Sequence, residues 1–239
     1  MFKLMAHKIF RHFGFDVVRY TKDNFYDLKR KLIIKKENIN LVLDIGASEG
    51  NYAMALRSMG YNGRIISFEP LSVSFIALKN HSKKDPLWHI ENLAIGDYDG
   101  ESEINISGRI TSSSLLPIMQ SHINVCSESA YIAKEKIKVA RIDTFLFNKI
   151  KPSDNIFLKA DVQGYEKKVL LGAAEILTNV RALELELSFI PLYDGVPFAD
   201  DMLLFLKDRN FTPAAFRPVL TDPVTEQLLQ VDCLFVRQK

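Results

Sequence analysis

Four carboxylates fall where short apolar runs end or are interrupted. Asp44 lies in Leu-Val-Leu-Asp-Ile (41–45), directly before Gly46-Ala47-Ser48-Glu49-Gly50. Glu69 follows Arg-Ile-Ile-Ser-Phe (64–68) and precedes Pro70. Asp161 follows Ile-Phe-Leu-Lys-Ala (156–160) and precedes Val162-Gln163-Gly164, while Glu186 interrupts the apolar run 182–187. A glycine pair spaced G-x-x-x-G lets the backbone come close to a ligand and opens the helix that follows. A carboxylate at the end of the next strand, 25 positions after Asp44, can accept hydrogen bonds from both hydroxyls of a ribose. Together these features imply a nucleoside-type cofactor.

The spacing argues against a dinucleotide. Dinucleotide folds place a pyrophosphate on a helix N-terminus behind G-x-G-x-x-G. This loop has Tyr52 where the short-chain dehydrogenase pattern has a further glycine. The Tyr-x-x-x-Lys pair of those enzymes is absent too, since Tyr131 is followed by Lys134 and Glu135 at the third and fourth positions. Asp44 would repel a phosphate and attract an ammonium. A cationic, phosphate-free nucleoside fits, and S-adenosyl-L-methionine is one.

Residues so scattered need a scaffold that gathers strand ends. From residue 40 onward, apolar strand-like runs alternate with helical stretches, the pattern of a parallel sheet covered on both faces. Strands are predicted at 41–45, 64–68, 88–92, 156–160 and 182–187, and helices at 51–59, 72–81, 165–177 and 200–209. The first helix would turn Tyr52, Ala55, Leu56 and Met59 inward, with Gly60 and Gly63 ending it. Runs 101–107 and 137–140 read as additional strands around a serine-rich, irregular stretch. Runs 211–217 and 233–237 read as an antiparallel pair closing the sheet. Ligands in such sheets sit at the carboxyl ends of the strands, near the point where strand order reverses. That rule gathers 44–50, Glu69-Pro70, Asn92-Leu93-Ala94 and 161–164 at one edge.

The segments LVLDIGASEGNYAMAL, SFEP, NLAIGDYDG, ARIDTFL and KADVQGYEKKVLLGA stand in that order along the chain. The ordered set resembles the FkbM family of S-adenosylmethionine-dependent methyltransferases over roughly residues 38–239, with 1–37 matching loosely. The resemblance implies an α/β, class I methyltransferase (Rossmann-like) fold with a mostly parallel seven-stranded sheet and helices on both faces. It implies O-methylation of a hydroxyl on a sugar, glycoconjugate or natural product. It further implies that Asp44, Gly46, Ser48 and Gly50 hold the methionine moiety and that Glu69 binds the ribose, with Asn51 and Pro70 also at the cofactor. Asn92, Leu93 and Ala94 would flank the adenine, and Asp161 would stand beside the transferable methyl. The family usually reads Asp-Ile-Gly-Ala-Asn and Asp-Val-Glu-Gly. This chain has Ser48 and Gln163 at the last and third positions of those motifs, so the second site keeps its shape and loses its charge.

Methyl transfer from a sulfonium is an in-line displacement, and an alcohol acceptor must also lose a proton to a carboxylate or histidine within reach. Asp161 is the first candidate, its plain alternative being the cap of the following helix. Glu186 is the second, its plain alternative a strand-end salt bridge. Asn92 reads equally as a turn residue. His89 reads as a core strand histidine, Trp88 as core, and His122 as a loop residue in the 111–129 segment that would select the acceptor.

The 239 residues carry 31 Lys/Arg and 29 Asp/Glu with 47% apolar residues, which excludes a disordered, collagen-like or coiled-coil chain. The charge is unevenly placed, at +6 over 1–37 and −4 over the rest. Charge sets apart a basic amphipathic helical extension (1–37), and the resemblance implies that 38–239 is an S-adenosylmethionine-dependent methyltransferase domain. The acidic larger part argues against a nucleic-acid partner, and the resemblance implies a small-molecule or carbohydrate acceptor. Phe2, Met5, Ile9 and Phe13 recur at the spacing of one helical face, which either packs on the domain or touches an anionic membrane surface. No uncharged apolar run reaches the ~18 residues of a membrane span. Cys126 and Cys233 have no metal-like spacing, so they suggest neither a zinc site nor a disulfide scaffold, and a reducing, cytoplasmic location, peripheral to a membrane if the extension binds one, is the simpler reading. One rival from another class remains, a non-catalytic S-adenosylmethionine-binding scaffold module, favoured by Gln163 alone.

Overall fold

The structure, a computed structural model, describes residues 10–15, 21 and 25–238. Helix α1 (Tyr26–Lys36) leads into β1 (Leu41–Ile45), α2 (Asn51–Ser58), β2 (Arg64–Phe68), α3 (Ser72–Ser82) and β3 (Trp88–Glu91). Then come β4 (Ala94–Ile95), β5 (Gly100–Ser107), α4 (Gln120–Val125), β6 (Tyr131–Ala140), α5 (Ile142–Phe145) and β7 (Ile156–Ala160). The chain ends with α6 (Glu166–Leu171), β8 (Val180–Ser188), α7 (Ala199–Lys207), β9 (Phe211–Thr221) and β10 (Leu228–Arg237).

Seven strands form one sheet in the order β3-β2-β1-β7-β8-β10-β9. The first five are parallel and β10 runs antiparallel to both its neighbours. This is the mostly parallel seven-stranded α/β sheet expected from the sequence, with the closing antiparallel pair where it was predicted. Strand order reverses between β1 and β7, which opens a crevice at their carboxyl ends. Strands β1 and β7 are buried along their whole length, so their side chains are apolar on both faces with two exceptions, Asp44 and Lys159. Those two sit directly opposite each other in the β1–β7 register. The row continues to Ser67 on β2 and Glu184 on β8, so four polar side chains cross the sheet on one face.

A second sheet, β4-β6-β5, carries the 108–130 segment. That segment is less irregular than its serine content predicts, containing 3-10 turns at Ile110–Ser112 and Ser127–Ser129 and the helix α4 between them. Strand β6 is also longer than the predicted 137–140, because the polar residues 131–136 pair with β5 as an antiparallel ribbon.

Other expectations need correction. In α2 the buried residues are Ala53 and Leu56, while Ala55 is exposed and Tyr52 and Met59 are half-buried. The predicted helix 165–177 stops at Leu171. Gly172 packs where a Cβ would overlap the Gly96 carbonyl, and a 3-10 turn, Ile176–Asn179, resumes beyond it. That turn is capped by Asp143 of the ARIDTFL segment, which accepts from the Glu175 and Ile176 amides. His89 is exposed, because β3 is the sheet edge. His122 is buried on α4, edge-to-face with Tyr193 at 5.2 Å, so it is no surface loop residue. Trp88 is core as expected, donating from Nε1 to Ser67 Oγ at 2.9 Å. Of the predicted N-terminal stripe, Phe2, Met5 and Ile9 lie outside the described residues, and Phe13 is exposed. Helix α1 packs Ile33 and Ile34 into the apolar cluster on the Asp44 face of the sheet.

Candidate functional site

Two cavities of about 710 Å³ each open at the carboxyl ends of the strands. Gly46, Ser48, Thr111 and Asp161 line both, so these four residues form the shared wall.

The first cavity is walled by Phe68, Leu71, Leu93, Ala94, Ile95 and Ile104, with one acid, Glu69, beside the wall residue Asp161. Glu69 is 5% exposed. Its Oε2 accepts from the Ser48 N–H and its Oε1 from the Leu71 N–H, both at 2.8 Å, so one carboxylate ties the β1 loop to the β2 turn. Burial pushes its pKa up to about 7, with Asp44 adding to the rise and the two amides and Lys159 opposing it. Gly46 sits at φ +73, and a Cβ there would overlap the Asp161 carbonyl, so only glycine lets the β1 and β7 loops approach this closely. Ser48 and Gln163, the two residues that depart from the family motifs, both hold left-handed backbone, at φ +49 and +56. Asparagine adopts that conformation more readily than serine, so Ser48 carries some local strain.

The second cavity is charged. Lys159, Asp161, Glu184, Glu186, Arg217 and Asp232 line it, with Asn51 and Tyr52. Lys159 Nζ lies 2.8 Å from the Gly46 carbonyl, 3.3 Å from Asp44 Oδ1 and 3.9 Å from Asp161 Oδ2. Burial lowers the pKa of such an ammonium, yet Asp44 and Asp161 hold this one above the ordinary lysine value. The Asp44 carboxyl is raised by burial and pulled back by Lys159 and Ser67. The ammonium that Asp44 attracts is therefore supplied by the protein. Arg30 of α1 donates to both Glu184 oxygens at 2.5 Å, and the Tyr52 hydroxyl donates to Glu184 Oε2 at 2.7 Å. Arg217 donates to Asp232 Oδ2 at 2.7 Å.

Between the cavities stands a bridge. Gln163 Nε2 donates to Asp161 Oδ1 at 2.8 Å and to Glu186 Oε2 at 2.7 Å, while the Tyr193 hydroxyl lies 2.7 Å from Gln163 Oε1. Ser114 of the 108–130 segment donates to the Gln163 carbonyl, fixing that segment over the site. Asp161 does not cap α6. The amides of Val162 and Gly164 donate to Glu166 instead, whose carboxyl burial pushes up to about 7. Glu186 has no cation within 4.0 Å among the described residues, so the strand-end salt bridge is not formed. Burial first, then Asp161, Glu166 and Asp232, raise its carboxyl well above the usual range.

Gly46, Ser48, Glu69, Pro70, Leu93, Ala94 and Asp161 thus meet at the first cavity, and Asn51 and Glu186 at the second. Asp44, Gly50 and Asn92 line neither. Asp44 lies fully buried beneath the loop. Gly50 faces the core, where a Cβ would stand 2.8 Å from Leu78 and Trp88. Asn92 Nδ2 donates to the carbonyls of Glu69 and Pro70 at 2.9 and 3.0 Å, bracing the turn as a turn residue does. Lys159, Glu184 and Arg217 are functional candidates that the sequence reading missed. For Lys159 the signal was present, a lysine inside an apolar run that must pair with the run bearing Asp44. Among the described residues no group of three or more His, Cys, Asp or Glu gathers as metal ligands, and no helix is long and apolar enough to cross a membrane.

The model of the methyltransferase FkbM domain matches residues 44–213 of this chain. The chain belongs to that family. The matched stretch is therefore a methyltransferase domain, and S-adenosyl-L-methionine is its cofactor. No curated protein sequence matches it. The structure resembles methyltransferase FkbM from Methylobacillus flagellatus at 16% identity and a TM-score of 0.50, covering 83% of this chain and 43% of that one. This chain thus spans under half the length of that relative. An rRNA methylase from Streptococcus thermophilus gives 10% identity and a TM-score of 0.46, covering 88% and 95% of the two chains. The 1,6-didemethyltoxoflavin-N1-methyltransferase of Burkholderia thailandensis, solved with S-adenosylhomocysteine, gives 11% identity and 0.45, covering 89% and 79%. The first cavity of this FkbM methyltransferase fits the cofactor, since a glycine-cleared backbone, one buried acceptor carboxylate and an apolar wall suit a ribose and a flat base.

Proposed function

We propose that this FkbM methyltransferase methylates a hydroxyl on a polar, hydroxylated small molecule such as a sugar, glycoconjugate or natural product. The observation that carries this reading is the position of Asp161, half exposed on the wall shared by two cavities of different character. Bound in the first cavity, S-adenosyl-L-methionine supplies an electrophilic methyl group. Glu69 accepts hydrogen bonds from the ribose hydroxyls, with Pro70 fixing the turn and Asn92 bracing it. Leu93 and Ala94 pack on the base. Gly46 and Ser48 present backbone to the methionine moiety. Asp44 acts from below through Lys159, Gly50 acts through its packing, and Asn51 reaches the site from the side of the second cavity.

The acceptor enters the second cavity, where Asp161 takes the hydroxyl proton as general base and Gln163 holds its carboxylate in place. Positioned acid–base groups of this kind contribute roughly 10²–10⁴-fold to rate. Glu186 is the second proton-handling group, orienting the acceptor. The 108–130 segment roofs both cavities at Thr111 and selects the acceptor.

The test is release of S-adenosylhomocysteine from the purified chain incubated with S-adenosylmethionine and matched panels of hydroxylated, amine and nucleic-acid acceptors. Turnover on hydroxylated small molecules, lost in Asp161→Asn, is the expected result. Turnover confined to nucleic acid would overturn the acceptor assignment. Cofactor binding without turnover on any panel would favour the non-catalytic scaffold.

A further inference from the structure

Around the second cavity the charges can be paired off. Four carboxyls line it, Asp161, Glu184, Glu186 and Asp232, with Lys159 and Arg217, while Asp44 and Arg30 lie behind the wall against Lys159 and Glu184. Arg30 is held by Glu184, with Asp27 on the rim. Arg217 is held by Asp232, with Asp27 and Glu184 behind it. Lys159 serves both Asp44 and Asp161. Glu186 is left over. It is 8% exposed and lines the cavity, and among the described residues its carboxyl accepts only from the Gln163 amide, a neutral donor. A buried carboxyl without a cationic partner is costly to ionise. Its raised carboxyl pKa agrees with that. Among the described residues each cation at the cavity already faces an acid within 4.0 Å.

We propose that the second cavity takes an acceptor bearing a protonated amine beside its hydroxyls, an amino sugar or a like amino alcohol, with Glu186 as the counter-ion. The proposal rests on the reading that this cavity is the acceptor site. An ammonium entering here supplies the missing partner, and the amine fixes the acceptor's orientation toward Asp161. A neutral polyol would leave Glu186 without a cationic partner, and a uronic acid or sugar phosphate would meet an acid-rich wall.

Calorimetric titration of the S-adenosylhomocysteine-saturated chain with glucose, glucosamine and glucuronate at pH 7 separates these cases with one ring and three charges. Glucosamine is expected to bind roughly tenfold more tightly than glucose, the size of one hydrogen bond to a charged group. Glucuronate is expected to bind most weakly, and Glu186→Gln to erase the glucosamine preference while keeping S-adenosylhomocysteine binding. Equal affinity for glucose and glucosamine, preference for glucuronate, or no binding of any of the three to the saturated chain would overturn the proposal. The wild-type series decides the point even if Glu186→Gln fails to fold. A chain that does not take up S-adenosylhomocysteine at all would instead overturn the underlying assignment of the two cavities, and the proposal with it.

Discussion

The cavity beside Glu69 is walled by aliphatic and aromatic side chains around a carboxylate held by two backbone amides, whereas the cavity beside Glu186 is walled by six charged side chains. They share Gly46, Ser48, Thr111 and Asp161. The first is shaped chiefly by backbone and apolar packing around the Glu69 carboxylate. The second is shaped by mutual attraction among buried charges, so each member depends on the others. A site for a common cofactor can be rigid and generic. One that selects an acceptor needs polar groups whose removal is felt, because buried polar groups left unpaired are what discriminate between similar ligands.

If the second cavity stands on its charges, breaking one pair should have the largest effect on stability. Arg30→Met leaves Glu184 buried without its main cation and is expected to cost about 3–5 kcal/mol in urea unfolding. The double change Arg30→Met with Glu184→Leu should recover most of that loss. A single variant as stable as wild type would show that the pair is incidental.

Glu69→Ala tests the first cavity alone. Losing hydrogen bonds from two ribose hydroxyls to a charged acceptor corresponds to roughly 3 kcal/mol, about a hundredfold in S-adenosylhomocysteine affinity by calorimetry. The same group sets a pH dependence. Burial pushes its carboxyl up to about 7, and the proposed ribose role needs the ionised form as acceptor. Affinity should therefore be level above about pH 7 and fall as pH drops below it, and Glu69→Gln should flatten that curve.

The shared wall distinguishes binding from turnover. Asp161→Asn should lower methyl transfer about a hundredfold or more while S-adenosylhomocysteine still binds. Full activity in that variant would remove Asp161 as the base.

The smallest expected effect is at the bridge. Gln163→Glu puts a third carboxyl between Asp161 and Glu186, in place of a donor that serves both. A carboxyl whose folded-state pKa is raised costs stability increasingly as pH rises above its unfolded value. The variant should therefore be about 1–3 kcal/mol less stable than wild type at pH 8, with the gap closing toward pH 5, measured as thermal unfolding across that range.

Much of the scaffold was legible because buried parallel strands read as continuous apolar runs, and 41–45, 64–68 and 156–160 lie where the sequence places them. The strand-end rule then brought Glu69 and Asp161 to the crevice without further information. What was not legible depended on pairing between distant strands. Lys159 is plain in sequence, but its meaning comes from lying opposite Asp44 and Glu184 in register. Arg30 belongs to the N-terminal stretch set apart by its charge, yet it reaches β8 across 154 positions. His89 and His122 were misread for the same reason, since burial depends on whether a strand is an edge and whether a segment folds back onto Tyr193. Ala55 was misplaced by one helical step, which periodicity in an eight-residue helix does not fix.

The central claim is that the apolar cavity holds the cofactor and the charged cavity the acceptor. Its most direct test is calorimetric titration of the wild-type chain and of Glu69→Ala and Glu186→Gln with S-adenosylhomocysteine, with NAD as a parallel control. The account predicts binding to the wild type and to Glu186→Gln, loss in Glu69→Ala, and no heat from NAD. Binding that survives Glu69→Ala but is lost in Glu186→Gln would contradict it, because the two cavities would then have exchanged their roles.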